Sequence, residues 1–591
     1  MAALATFNQP ETSSETPASP ETPNRIWVFF LVAGAAILPY LGSLRFGFVY
    51  DDGFQLALPA IRSWSAVPGY FINSIPGISV RYYRPLFFLW LRVNFFLWGA
   101  RAWGWHLTSV ALHTAVSIFV LLVLRRYFKD IRCAVAGALV FAAHPAHIET
   151  VAWISGCTDS LMALGLVSSL WLWMKNLEAP RIAYRLGSLF CCAFALLSKE
   201  TAIVLPFLIA LQAFVGIPPL NTGKGGFSNR LQIALWQTAP YAGVTAAFLA
   251  IRWWALSGVQ GTPSWISNKQ VILTVPSLLV FYLKHMIWPM RLSVFYDFPI
   301  VSRVGSSRFW LPLLALAAIA GGTWYWFWRT RDARIATILP WILGPVVPVC
   351  YIRIFQLDDF VHDRYLYLPV VGLAVLAGIV CEFLWKGESH SQASLFPAVG
   401  AGFVVACLAL ATAIQAEPWK DNLSLYSHAI QIAPRNTVGR HNLATAYAAL
   451  GRNEEASSIL RALLEDRPDM WQANYNYGCV NYQMGNLIVA EEYLRRAIRI
   501  DATDANQFLY LGLICLKEER LVEAAKRVEQ AIARNPAGGG YHFTLGMIEL
   551  RLGNMVAARA EMQKELKYHP ENADRVSQAQ TMFEQLKTGA P

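Results

Sequence analysis

Apolar stretches of about the length that crosses a bilayer recur through the first 416 residues of this chain, and little else constrains its fold so strongly. A spanning helix needs about 20 mostly apolar residues. Such stretches fall at residues 26–44, 103–125, 133–152, 159–175, 185–198, 201–217, 231–255, 309–328, 335–352, 365–385 and 395–416, which predicts about eleven spans. Composition agrees, with 15% charged and 55% hydrophobic residues, against roughly 25% charged in a soluble domain. Residues 1–25, rich in Pro, Thr, Ser and Glu, are expected to form a disordered cytoplasmic tail. The first apolar run has no small-residue cleavage site, so it reads as a retained anchor and not as a signal peptide.

Basic residues in short loops set orientation. Arg125, Arg126, Lys129 and Arg132 flank one turn, and Arg329, Arg331 and Arg334 another. Both fall on the cytoplasmic side if the N-terminus is cytoplasmic, and an odd number of spans then puts the C-terminal region outside. Two long outer loops, 45–102 and 256–308, each hold an apolar segment interrupted by polar residues. Residues 85–98 and 271–289 are expected to lie along the interface, the second being also long enough to span. The net charge of +11 comes without a basic stripe interleaved with aromatics, so nucleic acid is not an expected partner; membrane lipid is. Nine cysteines, most of them inside apolar runs and without CxxC or zinc spacing, read as small core residues.

From residue 418 the pattern changes. Pro434, Pro468, Pro536 and Pro570 lie on a 34-residue lattice, with Ala502 at the missing position. Ten residues after each lattice point stand Ala444, Gly478, Gly512 and Gly546, and the same period yields Ala456, Ala490, Ala524 and Ala558. Small residues let two helices pack closely and proline ends the second. This resembles tetratricopeptide (TPR) repeats: a half-repeat and four repeats over 418–570, followed by a cap or tail at 571–591. The predicted fold is therefore all-α, a polytopic membrane bundle over 26–417 followed by an α-solenoid. Its groove would take a protein or peptide acceptor.

Ionisable residues at membrane depth are costly, so their positions carry information. Asp51 and Asp52 follow the first span. Arg81 and Arg84 open the first interfacial segment. His144, His147 and Glu149 end the third span, Lys199 and Glu200 sit between two apolar runs, and Asp363 and Arg364 enter the tenth span. His144 and His147 form an HxxH pair without a matching third ligand, so no metal is expected. Together the groups place acids and cations on one face of an apolar bundle, equipment suited to an anionic lipid-linked substrate.

At these residues the chain resembles the transmembrane-and-TPR O-mannosyltransferases, relatives of the protein O-mannosyltransferases with the GT-C glycosyltransferase fold. The resemblance runs through Gly47–Asp52, Tyr83–Leu86, Trp103–Leu107 with Leu112 and His113, His144–Gly156, Leu197–Glu200 and Asp363–Pro369, in order. It implies transfer of a sugar, typically mannose, from a polyprenyl-phosphate carrier to a hydroxyl acceptor on the outer face, without a cofactor; the resemblance leaves the acceptor open, and a protein presented by the repeats is the leading reading. The family's catalytic acids map onto Asp51 and Asp52; the second is Glu in classical protein O-mannosyltransferases. Asp51 is the expected general base, with Arg84, Lys199, Arg364 and Arg81 for the leaving phosphate. His144, His147, Glu149, Glu200 and Asp363 are candidate substrate contacts. An envelope lipid or glycan as acceptor, or a non-catalytic membrane-anchored scaffold, are the alternatives. The compact loops favour a bacterial inner membrane, with endoplasmic reticulum as the other choice.

Overall fold

The structure is a computed structural model that describes residues 26–72, 82–217, 226–256, 265–386 and 395–579. The expected tail at 1–25, Arg81 and the end of the chain from 580 lie outside the described residues. Among the described residues every element is helical, apart from one isolated bridge between Gln356 and Asp359.

The first span is helix α1 (Trp27–Ile37), which tightens to a 3-10 helix over Leu38–Arg45 because Pro39 cannot donate into the α-helical ladder. A short helix α2 (Asp52–Ala57) follows, then α3 (Pro85–Trp98) and α4 (Ala102–Tyr127). Helix α5 (Ile131–Ala143) starts at Asp130, whose carboxylate accepts from the Arg132 N–H at 2.9 Å. The third span is broken: Pro145 forces His144 out of the helical region, and the chain resumes after a bend of 50° through α6 (Ile148–Ala152). Next come α7 (Cys157–Glu178), α8 (Ile182–Ser198), α9 (Leu205–Val215) and α10 (Phe227–Leu256). Then follow α11 (Asn268–Ile287), α12 (Ser307–Thr330), α13 (Ile335–Leu343), α14 (Val370–Lys386) and α15 (Leu395–Ala416).

Contacts sort the helix ends into two groups. One end is joined by Arg126–Glu178, Arg334–Glu382, and Arg132 over the Trp385 ring. The other is joined by Gly47 to Lys420, Asp52 to Ser155, Arg84 to Glu200, and Ser293 to Asp363. Among the described residues, six helices are long and apolar enough to cross a membrane, or seven if the bent pair is one span. Chain order allots eleven helical segments to the interval between the two ends: α1, α4, α5, α7–α10 and α12–α15, of which α8, α9, α13 and α14 belong to shorter apolar helices.

Helix α11 is the exception. It is long and apolar enough to span, yet both its ends meet the same end of the bundle. The Trp265 indole donates to the Phe355 carbonyl at 2.7 Å, Asn268 pairs with Arg353, and His144 bonds the Met286 carbonyl at 2.9 Å. It lies along that end, as its interrupting polar residues suggest.

The solenoid is regular. Helix α16 (Asn422–Ile432) is the half-repeat. The four pairs are α17 (Thr437–Ala449) with α18 (Asn453–Asp466), α19 (Trp471–Gln483) with α20 (Leu487–Ile500), α21 (Ala505–Lys517) with α22 (Leu521–Arg534), and α23 (Tyr541–Arg551) with α24 (Met555–Tyr568). The lattice residues do what their size predicts: Ala456, Ala490, Ala524 and Ala558 are fully buried. A Cβ on Gly478 would sit 2.7 Å from Leu494, and one on Gly512 2.6 Å from Val528. Gly478→Val should therefore overpack the second repeat at a cost of about 1–3 kcal/mol. Limited proteolysis of the full chain should then cut in the repeat domain at lower temperature than in wild type, with the bundle fragment unaffected.

Candidate functional site

The joined end of the bundle gathers the ionisable residues. The segment after α1 turns sharply at Tyr50, whose φ of 55° is rare for a residue with a side chain. Asp51 then takes the N-cap position of α2 and Asp52 begins the helix, so the helical step between them places the two side chains in different surroundings. Asp52 points inward and is 1% exposed. One carboxylate oxygen accepts from the Val49 N–H at 3.1 Å, and the other from the Ser155 N–H at 3.0 Å and the Ser155 hydroxyl at 2.5 Å. Burial pushes its carboxyl up to about 7, against the pull of those three donors. Asp51 is open to solvent on one side. The protein around it still displaces enough water to push its carboxyl up to about 6, with Asp359 adding repulsion and Arg364 and His362 opposing.

Three cations surround this opening and each has a carboxylate partner. Arg84, just before α3, makes a two-point contact with Glu200, Nε at 2.9 Å and Nη2 at 2.6 Å, and lies over the Tyr82 ring. Lys199, between α8 and the 3-10 turn that follows, reaches both oxygens of Asp159 at 2.7 and 2.6 Å in a buried pair. Arg364 binds Glu149 through both its backbone N–H and its guanidinium, and its charge lies over the rings of Trp153 and Tyr365. Lys199 feels the charges of both Arg84 and Arg364, so the three pairs form one cluster. Their chemistry differs. A guanidinium has five N–H groups, and Arg84 and Arg364 keep side-chain exposures of 17% and 16%. Lys199 is 4% exposed and acts on the opening through its charge.

Of the expected residues, Asp51, Arg84, Lys199, Glu149, Glu200 and Arg364 thus come together, with Asp52 anchoring the turn beneath them. Three are placed elsewhere. His144 uses both ring nitrogens on backbone groups of Met286 and Ala146. His147 packs among the rings of Phe141, Tyr367 and His113. Asp363 turns away from the opening, accepting from the Tyr296 hydroxyl at 2.6 Å and the Ser293 N–H at 3.0 Å, and its burial pushes the carboxyl up to about 8. Three residues that sequence reasoning did not select belong to the cluster, Asp159, His362 and Asp359, the last of which acts on Asp51. Asp159 carried a signal, an acid in the first turn of an apolar helix. His362, 3.5 Å from Glu149 and 3.3 Å from Asp359, carried none beyond its place in a polar run.

Comparison with known proteins bears on the order of the domains. Residues 83–224 match the family described as dolichyl-phosphate-mannose-protein mannosyltransferase, and residues 441–505 and 509–573 match tetratricopeptide repeats. The human protein O-mannosyl-transferase TMTC1 is 24% identical over 76% of this chain and 56% of its own length. The mouse protein O-mannosyl-transferase TMTC3 is 23% identical over 92% of this chain and 64% of its own length. The chain therefore spans less than two thirds of these relatives. The crystal structure of MamA is 20% identical and covers 26% of this chain and 89% of its own, at a TM-score of 0.24. A mannosyltransferase-family domain followed by TPR repeats, with TMTC proteins as homologues, is the family that the sequence resembles.

The different settings of the two acids separate their effects on stability. Asp52→Asn puts an amide N–H against the N–H of Val49 or Ser155, and an unsatisfied buried donor costs about 1–3 kcal/mol. Thermal unfolding of the detergent-solubilised chain should drop by several degrees for Asp52→Asn, while Asp51→Asn unfolds at the wild-type temperature.

Proposed function

We propose that this chain, in which a protein-mannosyltransferase domain precedes TPR repeats, transfers a sugar from a polyprenyl-phosphate donor to a hydroxyl of a protein acceptor at the extracytoplasmic face, and that the sugar is mannose. The observation that carries the reading is Asp51: an accessible carboxylate with raised proton affinity that feels the charge of Arg364, in a cluster where Arg84 and Arg364 are both partly exposed.

In the step this supports, Asp51 takes the proton of the acceptor hydroxyl as the oxygen bonds to the anomeric carbon. The bond from that carbon to the phosphate oxygen breaks, and the lipid phosphate leaves with the electron pair. Attack from the face opposite the phosphate inverts the anomeric centre. Arg84 and Arg364 are placed to donate to the phosphate oxygens as charge develops, and Lys199 adds its field from behind. Glu149, Glu200 and Asp159 hold these cations in register, and the five donors of a guanidinium outnumber the contacts each carboxylate takes. No cofactor is needed for this displacement. The repeat domain continues directly from the same end of the bundle, which suits a groove that brings a polypeptide to the opening. Eleven traverses and the clustered arginines at the other end support a cytoplasmic N-terminus and an external solenoid. The compartment we favour is the bacterial inner membrane.

A general base contributes about 10²–10⁴ in rate. Asp51→Asn should lose transfer of labelled mannose from polyprenyl-phosphate mannose by that factor, at unchanged expression and unfolding temperature. In wild type the base works when deprotonated, so transfer should be flat above about pH 6 and fall tenfold per unit below it. Wild-type rates from Asp51→Asn would overturn the assignment. Topology has its own test. A cysteine at the exposed Ser458 should react with an impermeant maleimide in cells whose inner membrane is intact. Labelling only after that membrane is breached would place the solenoid in the cytoplasm.

A further inference from the structure

Two turns beside the opening share an unusual backbone. Tyr50 (φ 55°) and Asp358 (φ 65°) occupy the left-handed region, which strains residues other than glycine. Each immediately precedes an acid of the site, Asp51 and Asp359. The other two such residues among those described have ordinary explanations. Arg331 ends α12, and Glu519 occupies the inter-helix turn where the other repeats have Gly451, Gly485 and Gly553.

Besides the hold that Asp52 has on the first turn from within, both turns are held by the beginning of the solenoid. The Tyr50 N–H donates to Asn422 Oδ1 at 2.8 Å. The Asp358 carbonyl accepts from Asn436 Nδ2 at 2.8 Å, and its carboxylate accepts from the Thr437 hydroxyl at 2.7 Å. Asn422 is the first residue of α16, and Asn436 caps α17 by accepting from the Gly439 N–H at 2.8 Å. Aromatic contacts brace the joint: Phe295 stacks on Tyr426, and Tyr50 meets both rings edge-on. Asp359 repels Asp51 across the opening, so the two acids would drift apart on slack loops.

We infer that Asn422 and Asn436 are positioning residues, which hold the turns that present Asp51 and Asp359 and so let the first two solenoid helices set the geometry of the site. This rests on the reading of Asp51 as the base.

The test uses the full chain in detergent micelles and four variants. Asn422→Ala removes the acceptor for Tyr50, while Asn422→Asp keeps it. Asn436→Asp keeps the helix cap, since Asp caps as well as Asn, but loses the donor to Asp358. Asp358→Gly in the Asn436→Asp background relieves the strain, because glycine adopts positive φ freely. Hydrogen exchange should speed up at the Tyr50 amide in Asn422→Ala and at the Asp359 amide in Asn436→Asp, with Gly439 protected as in wild type. With dolichyl-phosphate mannose and a serine/threonine-rich polypeptide, kcat should fall about tenfold to a hundredfold, the usual effect of misplacing a catalytic group. Donor KM should hold, Asn422→Asp should behave as wild type, and the added glycine should restore most of kcat. Unchanged exchange at both turns, or a kcat loss that glycine does not restore, overturns the inference. If wild type transfers no mannose, the proposed function fails, and the exchange measurements alone decide this one.

Discussion

Charge at the edge of an apolar bundle has to be paired, and this requirement organises the structure. A buried ion left alone would cost several kcal/mol, so Glu149, Asp159 and Glu200 each take a cation from another element. The three pairs fasten the bent third span to the segment before α14, α7 to the end of α8, and the start of α3 to the turn before α9. Such pairs add little net stability compared with apolar packing of the same volume. What they fix is relative position: each cation is held at a set place on the same end of the bundle. The same low dielectric that forces the pairing raises the proton affinity of Asp51.

The solenoid is joined to the bundle by shared core. Trp419, Leu425, Tyr426 and Ala429 are buried in the same apolar cluster as the membrane helices, together with Leu443 and Ala446 of the first repeat. Later repeats form separate small clusters with their neighbours. The domain boundary expected near residue 417 marks a change of composition in the sequence; in space the half-repeat belongs to both parts.

Much of this was legible because the signals are periodic or costly. Bilayer thickness sets the span lengths, and the 34-residue lattice names the residues where helices touch. Asp51, Arg84, Lys199 and Arg364 stand out because charge beside apolar runs is rare. What stayed hidden is pairwise geometry. His144 and Asp363 look as exposed in sequence as Asp51 does, yet the first is engaged by Met286 and the second by Tyr296 and Ser293. The partners are 142, 67 and 70 residues away, beyond any local pattern. Asp51 and Asp52 differ for a local reason that is equally silent. Asp51 takes the N-cap position of α2 and Asp52 begins the helix, so one helical step leaves the first exposed and brings the second to Ser155, 103 residues away.

The unequal attachment of the repeats bears on how such a chain can vary. The later repeats form small clusters with adjacent repeats, so units well beyond Asp466 can be gained or lost with little effect on the bundle's interior. The first turn of the array has no such freedom, since it is part of the bundle's own interior. Length is therefore open at one end and phase is fixed at the other, so a new repeat can add new surface to an array whose junction with the bundle does not change.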